Sequence, residues 1–295
     1  MNLLRTLLAS RSVLLRPLQD FLLALQFFTR IPVTGRVAQW AGYSPARLRS
    51  SAAHFPGVGW LVGGLAAGIT WLLLGYLPGG RGLSAGAAMG VAASASWGAC
   101  LVAAVLGTAA SVWVTGAFHE DGLADVADGL GGSPERERAL VIMKDSRVGA
   151  FGVLAIVLML LAKVSLLALV GSVNPIALCW GLFAAHVVSR SLPLVLIRAL
   201  PHVGNDATSK SKPLADSISN TSLCIALAWT LGALGLAGPA LGGIPLAWPL
   251  LGSTMALLWL WRLFWRRLQG FTGDCLGATQ QLCEVAFYLG LALSL

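Results

Sequence analysis

The chain has 295 residues, of which 57% are hydrophobic and 11% charged, and its formal net charge is +8. Its mean hydropathy is +0.78, whereas a soluble domain carries about 25% charged residues. The composition therefore excludes an ordinary soluble domain and predicts an all-α, polytopic membrane protein whose surroundings are the lipid bilayer. Its basic residues lie between apolar runs and form no basic face with interleaved aromatic residues, so nucleic acid is not an expected partner.

The N-terminal 50 residues carry seven Arg and several short apolar runs. We expect this segment to be cytoplasmic or interfacial, with a helix over residues 13–28 that lies in the membrane interface or enters the bilayer. Seven apolar runs follow, each near the roughly 20 residues that a membrane-crossing helix needs. The second run is too long for one straight span, and its end is expected to lead into an acidic helix. The runs cover residues 57–77, 87–115, 150–171, 176–198, 221–241, 246–264 and 275–295.

Basic residues alternate from one side of these runs to the other. Seventeen Lys and Arg lie in the N-terminal segment or in and beside the loops 116–149, 199–220 and 262–274, whereas only Arg81 lies in the alternate loops. The positive-inside rule then predicts a cytoplasmic N-terminus and an external C-terminus. Because no loop is apolar enough for a separate soluble domain, we expect one integral-membrane catalytic domain over residues 1–295, with 116–149 as its acidic catalytic segment.

Residues 118–132 form an acidic cluster in this basic chain. Asp121, Asp125 and Asp128 are spaced i, i+4 and i+7, which places them within an arc of about 60° on a helix. Three carboxylates on one face repel each other unless a cation shares them. Oxygen ligands without cysteine favour Mg²⁺, with Mn²⁺ as the alternative, and such a site suits a diphosphate. These three residues, the aspartate row, are the predicted metal ligands and catalytic residues.

Further charged residues flank the aspartate row. His119 is a candidate to hydrogen-bond the substrate. Lys144, Asp145 and Arg147 directly precede the third apolar run. We expect Asp145 to add a fourth catalytic carboxylate to the metal site, and Arg147 and Lys144 to bind phosphate. The alternative interpretation is that these charges anchor the start of the helix at the membrane interface.

Three more candidate substrate contacts come from distant parts of the chain. Arg190 follows His186 by four residues inside an apolar run, where a charge is costly and indicates function. We expect Arg190 to reach phosphate from the cavity, or else to be a structural partner of Glu284. Lys210 lies in a polar loop that is a candidate to cover the substrate. Asp274 begins the last run, as a metal ligand, a substrate anchor or a helix N-cap.

Several catalytic classes lack their motifs in this sequence. It contains no G-x-x-x-x-G-K-[ST] phosphate loop and no H-E-x-x-H zinc motif, and its residues do not suggest a Ser/His/Asp triad. Acids and bases near the membrane surface and a metal site that suits a diphosphate indicate phosphoryl-group transfer without a protein nucleophile. Catalysis would then depend on positioning and on stabilising charge.

Four ordered blocks of the sequence resemble the cobalamin 5'-phosphate synthase family, the adenosylcobinamide-GDP ribazoletransferases. The resemblance extends from about residue 20 to the C-terminus. The blocks are FFTRIP at 27–32, HEDGLADVADG at 119–129, IMKDSRVG at 142–149 and TGDCLGA at 272–278.

The resemblance implies an Mg²⁺-dependent enzyme of a bacterial or archaeal cytoplasmic membrane. Its substrates would be adenosylcobinamide-GDP and α-ribazole or α-ribazole 5'-phosphate, and its products adenosylcobalamin or its 5'-phosphate and GMP. Carried over by position, the aspartate row holds Mg²⁺, Lys144 and Arg147 hold the diphosphate, and Asp274 matches an acid of open role. A homo-oligomer is compatible with the sequence.

Two other classes of membrane protein match parts of the sequence. A CDP-alcohol phosphotransferase uses D-x-x-D-G-x-x-A-R, which begins at Asp125, but Gly132 and Ser133 stand where Ala and Arg belong. A membrane transporter fits the number of apolar runs. It does not explain an aspartate row at one end of a helix, and the runs show no evident repeat.

Overall fold

The computed structural model describes residues 2–80, 95–204 and 217–295, with side chains from residue 15 onward. Regular structure in these ranges is helical apart from one bridge between His202 and Phe271, which confirms the predicted all-α class. The helices are α1 (Asn2–Phe28), α2 (Gly35–Ala41), α3 (Pro45–Ser51), α4 (Phe55–Tyr76), α5 (Trp97–Thr115), α6 (Phe118–Gly132), α7 (Arg136–Ile142), α8 (Ala150–Val173), α9 (Pro175–Ser191), α10 (Pro193–Ala199), α11 (Asn220–Ala240), α12 (Ala247–Leu268) and α13 (Gly273–Leu293).

Five helical segments within the described ranges are long and apolar enough to cross a membrane. They coincide with the first five predicted runs and confirm the membrane character of the chain. Helices α12 and α13 occupy the last two runs but are not among these five segments, so the count of seven spans stays a prediction. The five segments are Pro45–Tyr76, Trp97–Thr115, Ala150–Val173, Pro175–Ala199 and Asn220–Ala240.

The second predicted run ends where the acidic helix begins, as expected. Helix α5 ends at Thr115, and Gly116 and Ala117 both adopt left-handed backbone angles, with φ of 68° and 59°. These two residues turn the chain sharply, and α6 follows at Phe118. The earlier part of the run, residues 87–94, lies outside the described residues.

Two predicted boundaries differ from the structure. The N-terminal helix α1 covers Asn2–Phe28 rather than 13–28, and two short helices follow it. The fourth run divides into α9 and α10, because Pro193 has no N–H to continue the helical hydrogen bonds.

Helix α13 is the centre of the bundle. It packs against α6, α8, α9 and α12, and most of its residues are buried. Its crossing with α6 is close because neither helix carries a side chain at the contact: Gly122 faces the backbone of Asp274, and Gly277 faces the backbone of His119. A Cβ at Gly122 would lie 2.9 Å from the Asp274 carbonyl oxygen, so glycine is required there.

Long-range hydrogen bonds join the ends of α6, α7 and α12. The Arg267 guanidinium donates to the carbonyl oxygens of Ser133 at 2.6 Å and Leu130 at 3.2 Å. Arg136 Nε donates to the Leu268 carbonyl oxygen at 2.7 Å. The acidic helix, the loop after it, the start of α7 and the end of α12 are therefore held together at one end of the bundle.

Candidate active site

The aspartate row lies on α6, which is helical throughout as the spacing predicted. Its three carboxylates differ in exposure: Asp121 is exposed, Asp125 is half-buried, and Asp128 is buried. This gradient arises because α6 packs against α8 and α13 along its length. The three side chains consequently have different roles, although the sequence pattern makes them look equivalent.

Asp128 anchors the start of α8. One carboxylate oxygen accepts a hydrogen bond from the backbone N–H of Gly149 at 2.7 Å, and the other from that of Gly152 at 2.8 Å. Backbone N–H groups in the first turn of a helix have no partner within the helix, and the partial positive charge there favours a carboxylate. A Cβ at either glycine would collide with this carboxylate. Asp128 therefore fixes the geometry between α6 and α8.

Asp274, on α13, lies with the aspartate row. The sequence marked Asp274 as a candidate but did not show which side chains it contacts. Its backbone lies against Gly122, between Asp121 and Asp125 on the neighbouring helix α6. Thr272, not Asp274, is the N-cap of α13, since its hydroxyl accepts from the Cys275 N–H at 3.4 Å. The Thr272 hydroxyl also donates to the Asp274 carboxylate at 3.3 Å. Asp274 thus remains available for chemistry.

The electrostatics of this group are those of crowded carboxylates. The pKa of Asp125 is raised from 3.8 to about 7, most strongly by partial burial and then by the charges of Asp274, Asp121 and Asp128 in that order. A cation among these four carboxylates would relieve the repulsion. In the described ranges, no three His, Cys, Asp or Glu side chains converge as a ready-made metal site.

The residues before α8 form a pair of their own. Arg147 Nη2 lies 2.7 Å from a carboxylate oxygen of Asp145, and the Arg147 backbone N–H also donates to this carboxylate at 3.0 Å. The pair lowers the pKa of Asp145 to about 2 through its hydrogen bonds with Arg147. The Arg147 side chain is 87% exposed. Lys144 is exposed as well, and its charge acts on Asp274.

A buried polar cluster lies deeper in the bundle, centred on Glu284 of α13. Lys163 Nζ on α8 lies 2.6 Å from one carboxylate oxygen, which also accepts from the Tyr288 hydroxyl at 2.8 Å. The second oxygen accepts from Gln280 Nε2 at 2.6 Å and lies 3.6 Å from His186 Nδ1 on α9. Glu284 and Lys163 are fully buried. This pairing gives both buried charges a partner of opposite sign.

Two glutamines extend this cluster to the acidic helix. Gln280 Nε2 donates to Ser189 Oγ at 2.9 Å, and Gln281 Nε2 donates to the carboxylate of Glu120 at 2.9 Å. Sequence reasoning missed Gln280, Gln281 and Tyr288. Two of them could have been found from their spacing, since Gln280 and Tyr288 lie four residues to either side of Glu284 and so on the same face of a helix. Glu120, next to the aspartate row, is held by this network.

Arg190 lines a pocket at the start of α13. Its guanidinium Nη1 donates to the His186 carbonyl oxygen at 2.9 Å and lies 3.0 Å from His186 Nδ1. Glu284, its other predicted partner, forms its direct ion pair with Lys163, and its charge acts on Arg190 as well. The pocket is also lined by His119, Gln280, Gly273 and Gly277 and by the apolar residues Phe27, Phe28, Phe55, Phe118, Pro193 and Leu276.

The structure thus brings together the aspartate row and Asp274, and it places His119 and Arg190 in the adjoining pocket. Asp145 and Arg147 form an exposed pair of their own. Lys210, predicted to contact the substrate, lies outside the described residues.

Comparison with known proteins agrees with the resemblance. The family model described as cobalamin-5-phosphate synthase matches residues 20–292. The chain is 57% identical to the adenosylcobinamide-GDP ribazoletransferase of Polaromonas naphthalenivorans strain CJ2, over 96% of this chain and 100% of that protein. It is 45% identical to the protein of the same name from Leptothrix cholodnii, over 92% of this chain and 93% of that protein. No solved structure matches the chain. These matches favour neither a CDP-alcohol phosphotransferase nor a transporter: the chain is a transferase that belongs to the cobalamin-5-phosphate synthase family.

Proposed function

We propose that this protein transfers the cobinamide phosphate of adenosylcobinamide-GDP to α-ribazole or α-ribazole 5'-phosphate. A ribose hydroxyl oxygen forms a bond to the cobinamide-side phosphorus, and the bond from that phosphorus to the GMP oxygen breaks. The hydroxyl proton passes to a carboxylate of the site. The products are adenosylcobalamin, or its 5'-phosphate, and GMP.

One observation carries this proposal: four carboxylates are crowded together in a chain that belongs to this family. The three aspartates of the row lie with Asp274, and the pKa of Asp125 is raised to about 7 by burial and by their charges. Such crowding stores repulsion that a cation would release. A diphosphate and its cation are the ligands that this arrangement suits.

The donor set fits Mg²⁺, with Mn²⁺ as the alternative, because it offers carboxylate oxygens alone. We assign the cation to Asp121, Asp125 and Asp274, since both oxygens of Asp128 already accept backbone hydrogen bonds. Asp145 was also expected among the ligands, but its carboxylate is paired with Arg147. When bound, the cation would neutralise charge on the diphosphate and on the departing GMP.

The remaining residues position the substrates. Lys144 is exposed beside Asp274 and supplies a point charge for the diphosphate. Arg147 extends into solvent while its guanidinium is oriented by Asp145. It therefore suits a phosphate that approaches the site from the solvent. Neither side chain attacks the substrate, so catalysis comes from orientation and charge stabilisation.

We place the reaction at the cytoplasmic surface of a bacterial cytoplasmic membrane. Support comes from the basic residues that flank the aspartate row, since cytoplasmic loops carry the excess of Lys and Arg. A cysteine introduced at Glu137, which is 81% exposed in its side chain, should react with a membrane-impermeant maleimide only in inverted vesicles. Labelling in right-side-out vesicles would reverse the assigned orientation.

The reaction is tested with the purified protein in lipid nanodiscs, adenosylcobinamide-GDP, α-ribazole and MgCl₂, following GMP release and the corrinoid product by chromatography. GMP release should require both substrates and should stop on addition of EDTA. The variant Asp125→Asn should lower the rate by about a hundredfold or more, because it removes a charge that acts on the reacting phosphates.

The matched control is Glu137→Gln, which neutralises an exposed carboxylate of the neighbouring helix α7. It should turn over at the parent rate. Thermal unfolding of both variants shows whether they are folded. Near-parental turnover by a folded Asp125→Asn variant would contradict the proposed site, and GMP release that persists in EDTA would contradict the cation.

A further inference from the structure

The pocket beside the aspartate row is built mainly from aromatic rings of three separate elements. Phe28, at the end of α1, lies 4.3 Å from Phe55 of α4 and 5.4 Å from Phe118 of α6 between ring centroids. The His119 ring is stacked with Phe28, at 5.9 Å and with 10° between their planes. Rings packed against each other in this way give the pocket a rigid, largely apolar lining.

One charged group, Arg190, lines this pocket. Arg190 is 4% exposed, and its Nε–H has no hydrogen-bond partner among the residues that the structure describes. Leaving a buried donor of a charged group without a partner costs about 1–3 kcal/mol or more. Because the guanidinium lines the pocket, an acceptor atom on a bound molecule would offset that cost.

The pocket borders the first turn of α13, the turn that carries Asp274. Gly273 and Gly277, which line it, flank Asp274 on α13. A molecule whose ring occupies the pocket would therefore place a substituent on that ring close to Asp274.

The chemistry of the pocket discriminates among the parts of the two substrates. Guanine presents ring and amino donors that call for a carboxylate acceptor, but the pocket lining contains no Asp or Glu. The corrin ring is far larger and carries polar amides at its rim. The base of ribazole is a flat, methylated benzimidazole with a single free ring nitrogen, which accepts one hydrogen bond. A pocket lined by aromatic rings and one charged donor matches that base.

We propose that this pocket binds the benzimidazole of the ribazole acceptor, with the Arg190 guanidinium donating a hydrogen bond to the free ring nitrogen. The ribose then projects past Gly273 and Gly277 toward Asp274 and the aspartate row. This inference rests on the proposed function, because the acceptor comes from that reaction. It gives Arg190 a base contact in place of the phosphate contact that the sequence predicts.

The first test measures binding rather than turnover. Equilibrium dialysis of α-ribazole against the full-length protein in nanodiscs, with EDTA and without adenosylcobinamide-GDP, gives its Kd. Leu276→Trp fills the pocket and should raise this Kd about tenfold or more. Leu289→Trp is the matched control on the same helix, because Leu289 is 49% exposed; its Kd should equal that of the parent.

The second test needs no variant, so a folding defect cannot obscure it. An indole riboside has the shape of the benzimidazole riboside but carries C–H where the free nitrogen stood. The parent protein should bind the indole compound about tenfold more weakly, as expected for the loss of a hydrogen bond to a charged donor. Equal affinity for the two ribosides would overturn the Arg190 contact.

These outcomes separate the pocket from the chemistry. If Leu276→Trp binds α-ribazole as the parent does while Asp125→Asn abolishes GMP release, the pocket assignment is overturned and the proposed function stands. If the parent releases no GMP yet binds α-ribazole, and Leu276→Trp loses that binding, the proposed function fails and the pocket remains a benzimidazole riboside site.

Discussion

The carboxylate of Asp128 and the backbone N–H of Gly152 are joined by a 2.8 Å hydrogen bond that links the acidic helix to the start of α8. The second Asp128 oxygen bonds Gly149 in the same turn. A residue that the spacing alone groups with catalytic acids is thus a structural anchor for the helix next to the site. Asp128 thus differs in role from Asp121 and Asp125, and experiments on single variants can measure the difference.

Asp128→Ala should lower the free energy of unfolding by about 1–2 kcal/mol, because two N–H groups of α8 lose their acceptor. Asp128→Asn keeps one acceptor oxygen and should lose less. The quantity is measured by SDS unfolding in mixed micelles. Asp121→Ala is the control, since Asp121 is exposed on the same helix. Equal stability of the Asp121 and Asp128 variants would show that the anchor is unimportant.

Gly152→Ala should destabilise the protein more than an ordinary glycine replacement, because its Cβ would press on the buried Asp128 carboxylate. Gly68→Ala is the matched control in α4, where a Cβ meets no atom within 4 Å. Alanine there should be neutral or slightly stabilising, because it favours the helix. Thermal unfolding of the two variants in the same detergent measures the difference, and similar unfolding midpoints would refute the steric argument.

Without a divalent cation, the protein should become less stable as the pH rises from about 4 to about 7. The pKa of Asp125 is raised from 3.8 to about 7 in the folded state, so the folded protein binds more protons than the unfolded chain across that interval. The contribution is fully present below the unfolded pKa and is lost as the pH passes the folded one. Thermal unfolding in EDTA at a series of pH values measures it.

The control for this pH dependence is Asp125→Asn, which should make the profile less steep because one titrating group is gone, while Asp274, whose pKa is also raised by burial, remains. MgCl₂ should also flatten it, by replacing the proton as the counter-charge. A parent profile in EDTA that is already flat would show that Asp125 ionises as it does in water.

Glu284→Leu should lower the free energy of unfolding by about 3–5 kcal/mol, because it leaves the buried Lys163 ammonium without its counter-charge. The double variant Lys163→Met with Glu284→Leu should regain much of that loss, since it removes both charges. The four proteins of this cycle are compared by SDS unfolding. Additive losses, with no recovery in the double variant, would show that the 2.6 Å pair carries no coupling.

Much of the fold and part of the site could be predicted from local patterns. Apolar runs of bilayer length predicted the five segments that are long and apolar enough to cross a membrane, because every backbone group in lipid must be satisfied within its own helix. The i, i+4, i+7 spacing of Asp121, Asp125 and Asp128 predicted that they share one face of a helix, because the helical repeat is a local property of the chain. The break after Thr115 also followed from the length of the run.

The partners of the acidic side chains depended on contacts between helices far apart in the chain. Asp274 meets the aspartate row only because α13 crosses α6 at Gly122 and Gly277, where the absence of side chains lets the backbones approach. Asp128 caps α8, and Glu284 pairs with Lys163, through similar long-range packing. The row of carboxylates and its chemistry are set by the sequence itself, through the helical repeat. Which carboxylates face a substrate and which hold the bundle together is decided by helix packing, because the cost of burying a charge depends on what surrounds it.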